Sequence, residues 1–321
     1  MESVELLADK NSKAWDFALK IQKYIKEQKD FDLPLKEVLI NRFRNGEIQM
    51  HVPENVRGKD IYFIHDSSKD PQDWWIELLL LKDLLLSASV KSISFVLPDM
   101  LYSRQDRKDR PHVPISTRAL AQSISPHLKR IITMDLHAAQ IQGFYPENIP
   151  LDNLYSFPSL VTYLKENNKL ISDIKELVIV APDAGGVARA RALAQRLNSI
   201  YPVAFIYKMR LEAGKIDKMI LLGDVVDKDV LIIDDLIDSG GTLCRAADLL
   251  KENGARNLFC YGTHAIFSNG TTSLVSCFNR IMISNTHYTE NNTVEVIDMS
   301  PIFAEAIYRA EKGLSISKLF E

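Results

Sequence analysis

The 321 residues predict an α/β protein of two doubly wound domains, each built on a parallel sheet. Three observations carry this expectation. Short β-branched runs alternate with segments of helical periodicity along the whole chain. Two of the runs, 92–99 and 176–183, end in the same Pro-Asp pair, a hint that two similar halves were joined. A proline-bearing stretch, 153–160 (NLYSFPSL), follows the first full set of strands and reads as a linker. The domains are therefore expected over 1–156 and 157–321, with the tail 301–321 a candidate to pack on the first.

The elements follow in order. Residues 12–29 place Trp15, Ala18, Leu19, Ile21 and Ile25 at helical spacing. Val38–Ile40 and Ile48–Val52 read as strands joined across Asn45-Gly46, a hairpin-turn pair. Asp60–His65 is a strand, and 72–88 is an apolar helix, read as buried. Ser92–Leu97, Arg130–Met134 and Glu176–Val180 are further strands. Val187, Ala190, Leu193, Ala194 and Leu197 mark the helix after the last of these.

The most informative stretch is 230–243, VLIIDDLIDSGGTL. Val230–Ile233 is short and β-branched, as expected of a strand covered on both faces. Leu243, Ala246, Ala247, Leu249 and Leu250 then recur at helical spacing, so the turn between is a strand-to-helix loop at the carboxyl end of a parallel sheet. Gly240 and Gly241 allow a sharp turn and close approach to a ligand. Ser239, Thr242 and the start of the helix offer hydroxyl and N–H donors suited to a phosphate. The acidic pair Asp234-Asp235 would repel a phosphate alone, but suits neutral vicinal hydroxyls. A ribose carrying a 5-phosphate meets both demands. The plainer alternative is an ordinary turn with solvated acids, which the added Asp238 and both hydroxyls disfavour.

Other stretches are weaker. Residues 104–110 (RQDRKDR) alternate charges after a strand and read either as a solvated face or as a nucleotide site. Gln105 could read a base edge there, and Arg104 could reach polyphosphate. His137 follows Asp135 at another strand end and cannot form a zinc site alone, since no second His or Cys lies at suitable spacing. Asp183-Ala184-Gly185-Gly186 opens a helix and is a second candidate anion loop, with Arg189 adding charge. Residues 207–215 read as a solvated loop or as a flap whose Lys208 and Arg210 close over polyphosphate.

Composition excludes several classes. Hydrophobic residues make up 46% and charged residues 25%, and the net charge of −3 provides no basic field for nucleic acid. The three cysteines, Cys244, Cys260 and Cys277, lack metal or redox spacing and read as buried, reduced thiols of a cytoplasmic protein. Residues 1–13 lack the apolar core of a secretory signal, and 74–90 is interrupted by Glu77, Lys82 and Asp83, so no membrane span is expected.

In order along the chain, FRNGE, VRGKD, YSRQDRKD, PIS, TMDLHAAQIQGF, DNLY, APDAGG, the Lys208/Arg210 pair, LLGDV and DDLIDSGGT resemble the ribose-phosphate diphosphokinase family. The resemblance runs from about Phe43 to Phe320. It implies a phosphoribosyltransferase-like fold and the conversion of ATP and ribose 5-phosphate to 5-phosphoribosyl 1-diphosphate and AMP. It assigns Phe43, Asn45 and Glu47 to adenine contact from a neighbouring subunit, and Arg104, Gln105 and Asp109 to the rest of the ATP site. His137 and Asp183 would hold Mg²⁺. Asp234, Asp235, Asp238, Ser239, Gly240, Gly241 and Thr242 would bind the sugar phosphate, and Lys208 and Arg210 would form the catalytic flap. A homo-oligomer follows, with a dimer as the minimum and a hexamer as the larger assembly implied.

The chain departs from the family's regulatory pattern at Asn55, Pro111 and His112, while Arg57, Ser315 and Ser317 fit it. Arg44 replaces the usual small residue after Phe43. Three other readings share the 230–243 loop: a phosphoribosyltransferase, a non-catalytic regulatory relative and a ligand-sensing transcription regulator. The first needs no second α/β half with RQDRKD. The second should have lost flap cations or loop residues, and the third needs a DNA-binding addition and a basic face.

Overall fold

The computed structural model describes residues 4–167, 174–209, 218–287 and 292–320. The chain divides into two compact units, one of residues 1–155, 286–288 and 299–321, the other of 156–285 and 289–298.

The first unit opens with β1 (Val4–Asp9) and α1 (Ala14–Lys29), followed by β2 (Leu35–Arg42) and β3 (Ile48–His51). Then come β4 (Asp60–Ile64), α2 (Pro71–Ser87), β5 (Ser92–Leu97), α3 (Ser116–Ile124), β6 (Arg130–Met134) and β7 (Leu151–Leu154). Its seven strands lie in the order β3-β2-β1-β4-β5-β6-β7. All neighbours are parallel except β2 and β3, the hairpin expected across Asn45-Gly46. Gly46, at φ 92°, occupies the left-handed region that the turn requires.

The second unit contains α4 (Phe157–Glu166), β8 (Val178–Ala181), α5 (Val187–Leu197), β9 (Ala204–Met209) and β10 (Lys218–Leu222). It continues with β11 (Asp229–Ile237), α6 (Gly241–Glu252), β12 (Asn257–Ala265), α7 (Thr272–Cys277), β13 (Arg280–Ser284) and β14 (Glu295–Ile297). The strand order is β10-β9-β8-β11-β12-β13-β14, again with one antiparallel edge pair, β9 with β10. The last helix, α8 (Ser300–Lys312), returns to the first unit.

The two sheets thus repeat one topology. In each, the first strand is central and the order reverses beside it, between β1 and β4 and between β8 and β11. Ligands of open α/β sheets bind at such reversals, beyond the carboxyl strand ends. The halves are alike, but the Pro-Asp pairs that hinted at this are not equivalent positions. One follows β5 and the other follows β8, whose counterpart in the first sheet is β1.

Two further expectations are corrected. The apolar segment 72–88 buries Trp74, Leu78, Leu81 and Leu85 but leaves Ile76, Leu80 and Leu86 exposed, so α2 is covered on one face only. Its start is conventional: Asp70 accepts a hydrogen bond from the Gln72 N–H at 2.9 Å, and Pro71 follows in the first turn. Residues 207–209 belong to β9 rather than to a loop.

Candidate functional site

The site is assembled at the sheet reversal of the second unit. β11 is longer than its apolar core implied, and Asp234 and Asp235 lie inside the strand, upstream of the turn. Asp235 is buried and accepts an ion-paired hydrogen bond at 2.8 Å from Arg189 on α5. The partner of one acid is therefore a side chain 46 positions away, a contact no local pattern announces. Arg189, expected to add charge for an anion at 183–186, is engaged with this carboxylate.

Asp234 is half-buried, and its Oδ1 accepts the Asp235 backbone N–H at 2.9 Å. Burial, then the neighbouring Asp235 carboxylate, push its pKa well above the usual carboxylate range. Hydrogen-bond donors to its charged form would offset the cost of ionising it in a buried setting.

The turn itself has the stereochemistry a close-approach loop needs. Gly240 caps α6 at φ 76°, and a Cβ there would lie 2.7 Å from the Leu274 side chain of α7. Both conditions demand glycine. A Cβ on Gly241 would meet only the Ser239 Oγ, at 3.9 Å, so this position faces open space. Ser239 is exposed, Asp238 and Thr242 are half-buried, and α6 begins at once with donors that have no partner within the helix. The Gly240 carbonyl accepts the Cys244 N–H at 3.0 Å, which closes the first turn.

Two further predicted residues join this group. Asp183 follows β8, and its Oδ1 accepts the Gly186 N–H at 3.2 Å, which caps the short turn Ala184–Gly186 ahead of α5. Lys208, on β9, places its ammonium 3.3 Å from the other Asp183 oxygen. Lys208, Asp183, Arg189 and the β11 acids thus alternate in charge around one strand reversal. Arg210 lies outside the described residues.

The corresponding loop of the first unit is closed by its own side chains. After β4, Asp66 accepts from the Ser68 N–H and hydroxyl at 2.9 and 2.7 Å. Lys69 donates to Asp9 and Glu77 at 2.9 and 2.8 Å. The side chains of that loop thus bond one another and their neighbours.

The other predicted residues belong to the first unit. Phe43, Asn45 and Glu47 form the exposed tip of the β2–β3 hairpin, closed by Phe43 N–H to Glu47 O at 2.9 Å. Phe43 is 51% exposed at this tip. Arg104 and Asp109 are exposed on the β5–α3 connection. Gln105 is half-buried, and its Oε1 accepts from the Ser116 hydroxyl at 2.5 Å, which fixes the side chain against the PIS segment. Asp106 is buried and accepts from Gln140. His137 is exposed after β6, beyond a left-handed Asp135 at φ 39°. His287 was not singled out from the sequence. Its Nδ1 lies 2.9 Å from Asp99 Oδ2, a long-range pairing without a local signature.

Comparison with known proteins narrows the chemistry. The description "N-terminal domain of ribose phosphate pyrophosphokinase" fits residues 9–126, and "phosphoribosyl transferase domain" fits 161–298. A ribose-phosphate pyrophosphokinase of Rhizobium meliloti (strain 1021) is 40% identical over 298 residues, covering 90% of this chain and 94% of its own. The chain belongs to the ribose-phosphate pyrophosphokinase family. The crystal structure of phosphoribosylpyrophosphate synthetase from Mycobacterium smegmatis superimposes with a TM-score of 0.85 at 29% identity, covering 97% of this chain and 99% of the other. Among the described residues of this pyrophosphokinase relative, no helix is long and apolar enough to cross a membrane. Nor is there a cluster of three or more His, Cys, Asp or Glu side chains able to hold a metal by themselves.

Proposed function

We propose that this member of the family transfers the β,γ-diphosphoryl group of ATP to ribose 5-phosphate. The O1 hydroxyl attacks the β-phosphorus, the bond from that phosphorus to the α–β bridging oxygen breaks, and AMP leaves. The observation that carries the reading is the β11–α6 turn, a glycine-only bend at a helix start with two acids just upstream. The 5-phosphate would sit on Ser239, Gly240, Gly241, Thr242 and the first N–H groups of α6. Asp234, Asp235 and Asp238 would accept from the ribose hydroxyls.

Phosphoryl transfer of this kind depends on positioning and on stabilising charge. Lys208, held on a strand and poised against Asp183, is suited to move onto the transferring group, with Arg210 as the second cation. Lys208 would then neutralise charge that grows only in the transition state. Asp183 offers a half-exposed carboxylate and His137 an exposed imidazole toward magnesium. Mg²⁺ is commonly held by one or two carboxylates together with substrate phosphates, which suits a metal that enters with the nucleotide. When bound, the ion would neutralise phosphate charge.

Arg104, Gln105 and Asp109 would complete the ATP site. The exposed Phe43 ring, with Asn45 and Glu47, suits an adenine in a second copy of the chain, which supports a homo-oligomer with a dimer as its minimum. The three free cysteines suit a reducing compartment, and the cytoplasm is the proposed location. The test is incubation with ATP, Mg²⁺ and ribose 5-phosphate. Release of AMP only when ribose 5-phosphate is present supports the reading, while no AMP contradicts it. A phosphoribosyltransferase would consume 5-phosphoribosyl 1-diphosphate instead.

A further inference from the structure

Cys244 and Cys277 are far apart in sequence, but the fold brings their thiols to one point. Cys244 is in the first turn of α6 and Cys277 is the last residue of α7. Both sulfurs donate to the same acceptor, the Ser273 carbonyl, at 3.4 and 3.1 Å. The expectation of buried thiols holds for Cys260 in β12 but not for these two, whose side chains are half-buried at helix ends and within reach of a small reagent.

We propose that Cys244 and Cys277 form a dithiol site that a hydroperoxide converts to a disulfide, and that this link reports on the adjacent β11–α6 turn. The Cys277 sulfur attacks an oxygen of hydrogen peroxide, the O–O bond breaks, and the departing oxygen takes up the thiol proton and leaves as water. The Cys244 sulfur then attacks the resulting sulfenic acid. The S–O bond breaks, a second water leaves with the Cys244 proton, and the S–S bond forms. Two electrons pass from the sulfur pair to hydrogen peroxide. Burial and the hydrogen bond to the Cys277 thiol push the Cys244 thiol up to about 12, so Cys244 serves as the second, resolving partner.

The consequence for the turn follows from packing. Cys244 is joined through its N–H to the Gly240 carbonyl, and Leu274, one helical turn before Cys277, is the side chain packed where a Gly240 Cβ would be. A disulfide needs its sulfurs about 2.05 Å apart. Two thiols sharing one carbonyl must give up both hydrogen bonds and move together to reach it. The motion draws α7 toward the start of α6 and presses Leu274 on Gly240. This functional half rests on the proposed sugar-phosphate site, where a displacement of about 1 Å can cost on the order of 10²-fold in rate.

The test treats the full chain with hydrogen peroxide, blocks remaining thiols with N-ethylmaleimide and maps peptides by mass. The expected result is a linked peptide pair containing Cys244 and Cys277, and a kcat/KM for ribose 5-phosphate lowered by about 10²-fold and restored by dithiothreitol. Cys277→Ser should keep its kcat/KM under the same treatment. Separate oxidation or alkylation of the two thiols, with no linked pair, overturns the dithiol site. A linked pair with unchanged kcat/KM overturns its coupling to the turn. A reduced protein that fails to turn over ATP with ribose 5-phosphate contradicts the functional reading instead, and the mass map then decides the dithiol site by itself.

Discussion

Replacing Gly240 with alanine separates the two reasons for a glycine at the turn. At φ 76° an L-residue pays about 1–2 kcal/mol for the left-handed backbone. Its Cβ, 2.7 Å from the Leu274 Cδ1 and Cγ atoms, adds an overpacking cost of about 1–3 kcal/mol. Gly240→Ala should therefore destabilise the second unit by about 2–5 kcal/mol. In a Leu274→Ala background only the backbone part remains, so the same substitution should cost about 1–2 kcal/mol there. Denaturant unfolding can place the loss, because Trp15, Trp74 and Trp75 all belong to the first unit. Tryptophan fluorescence follows that unit, while circular dichroism follows both. The early transition in Gly240→Ala should appear in dichroism without a matching fluorescence change. An unchanged midpoint, or an equal loss in both backgrounds, would refute the reasoning.

Three further outcomes follow. Lys208→Ala should lower kcat by about 10²-fold or more with little change in the KM for ribose 5-phosphate, and near-normal kcat would remove Lys208 from the reaction. Arg189→Ala leaves the buried Asp235 carboxylate without its ion pair and should cost about 3 kcal/mol in unfolding experiments, whereas a loss under about 1 kcal/mol would mean that the pair is solvated. Asp234 has a raised pKa, so between its ordinary value of 3.8 and its folded value the native state holds more protons than the unfolded one. Its contribution to the stability of the ligand-free protein therefore falls as pH rises through that window, while ribose 5-phosphate, which needs the ionised acceptor, binds more tightly. Melting and calorimetric titration across pH should show both trends weakened in Asp234→Asn, and identical trends in the variant would contradict the assignment.

Much of the site could be read from sequence because its chemistry is local. The bend, its hydroxyls and the helix start all fall within 238–243, and glycine there reports directly on backbone conformation. The hairpin at 43–47 was legible for the same reason. Contacts closed by the fold were not. Arg189 reaches Asp235, Lys208 reaches Asp183, and Cys244 meets Cys277, each across a strand crossover that leaves no spacing in the sequence. β1 is not legible because VELLAD carries one β-branched residue, and its Leu, Ala and Glu suit a helix as well as a strand. Residues 207–209 read as loop because Tyr207, Lys208 and Met209 close β9 without an apolar run, where it pairs only with the edge strand β10. The repeated topology was inferred from a shared Pro-Asp ending, yet what the halves share is strand order, a property carried by connections and not by any dipeptide.

The most direct test of where the sugar phosphate sits is amide hydrogen exchange with and without ribose 5-phosphate, resolved to short segments. The account predicts slowed exchange over 238–243, with the equivalent self-satisfied loop at 65–70 unchanged. Protection elsewhere in the chain, with 238–243 exchanging as before, would contradict it.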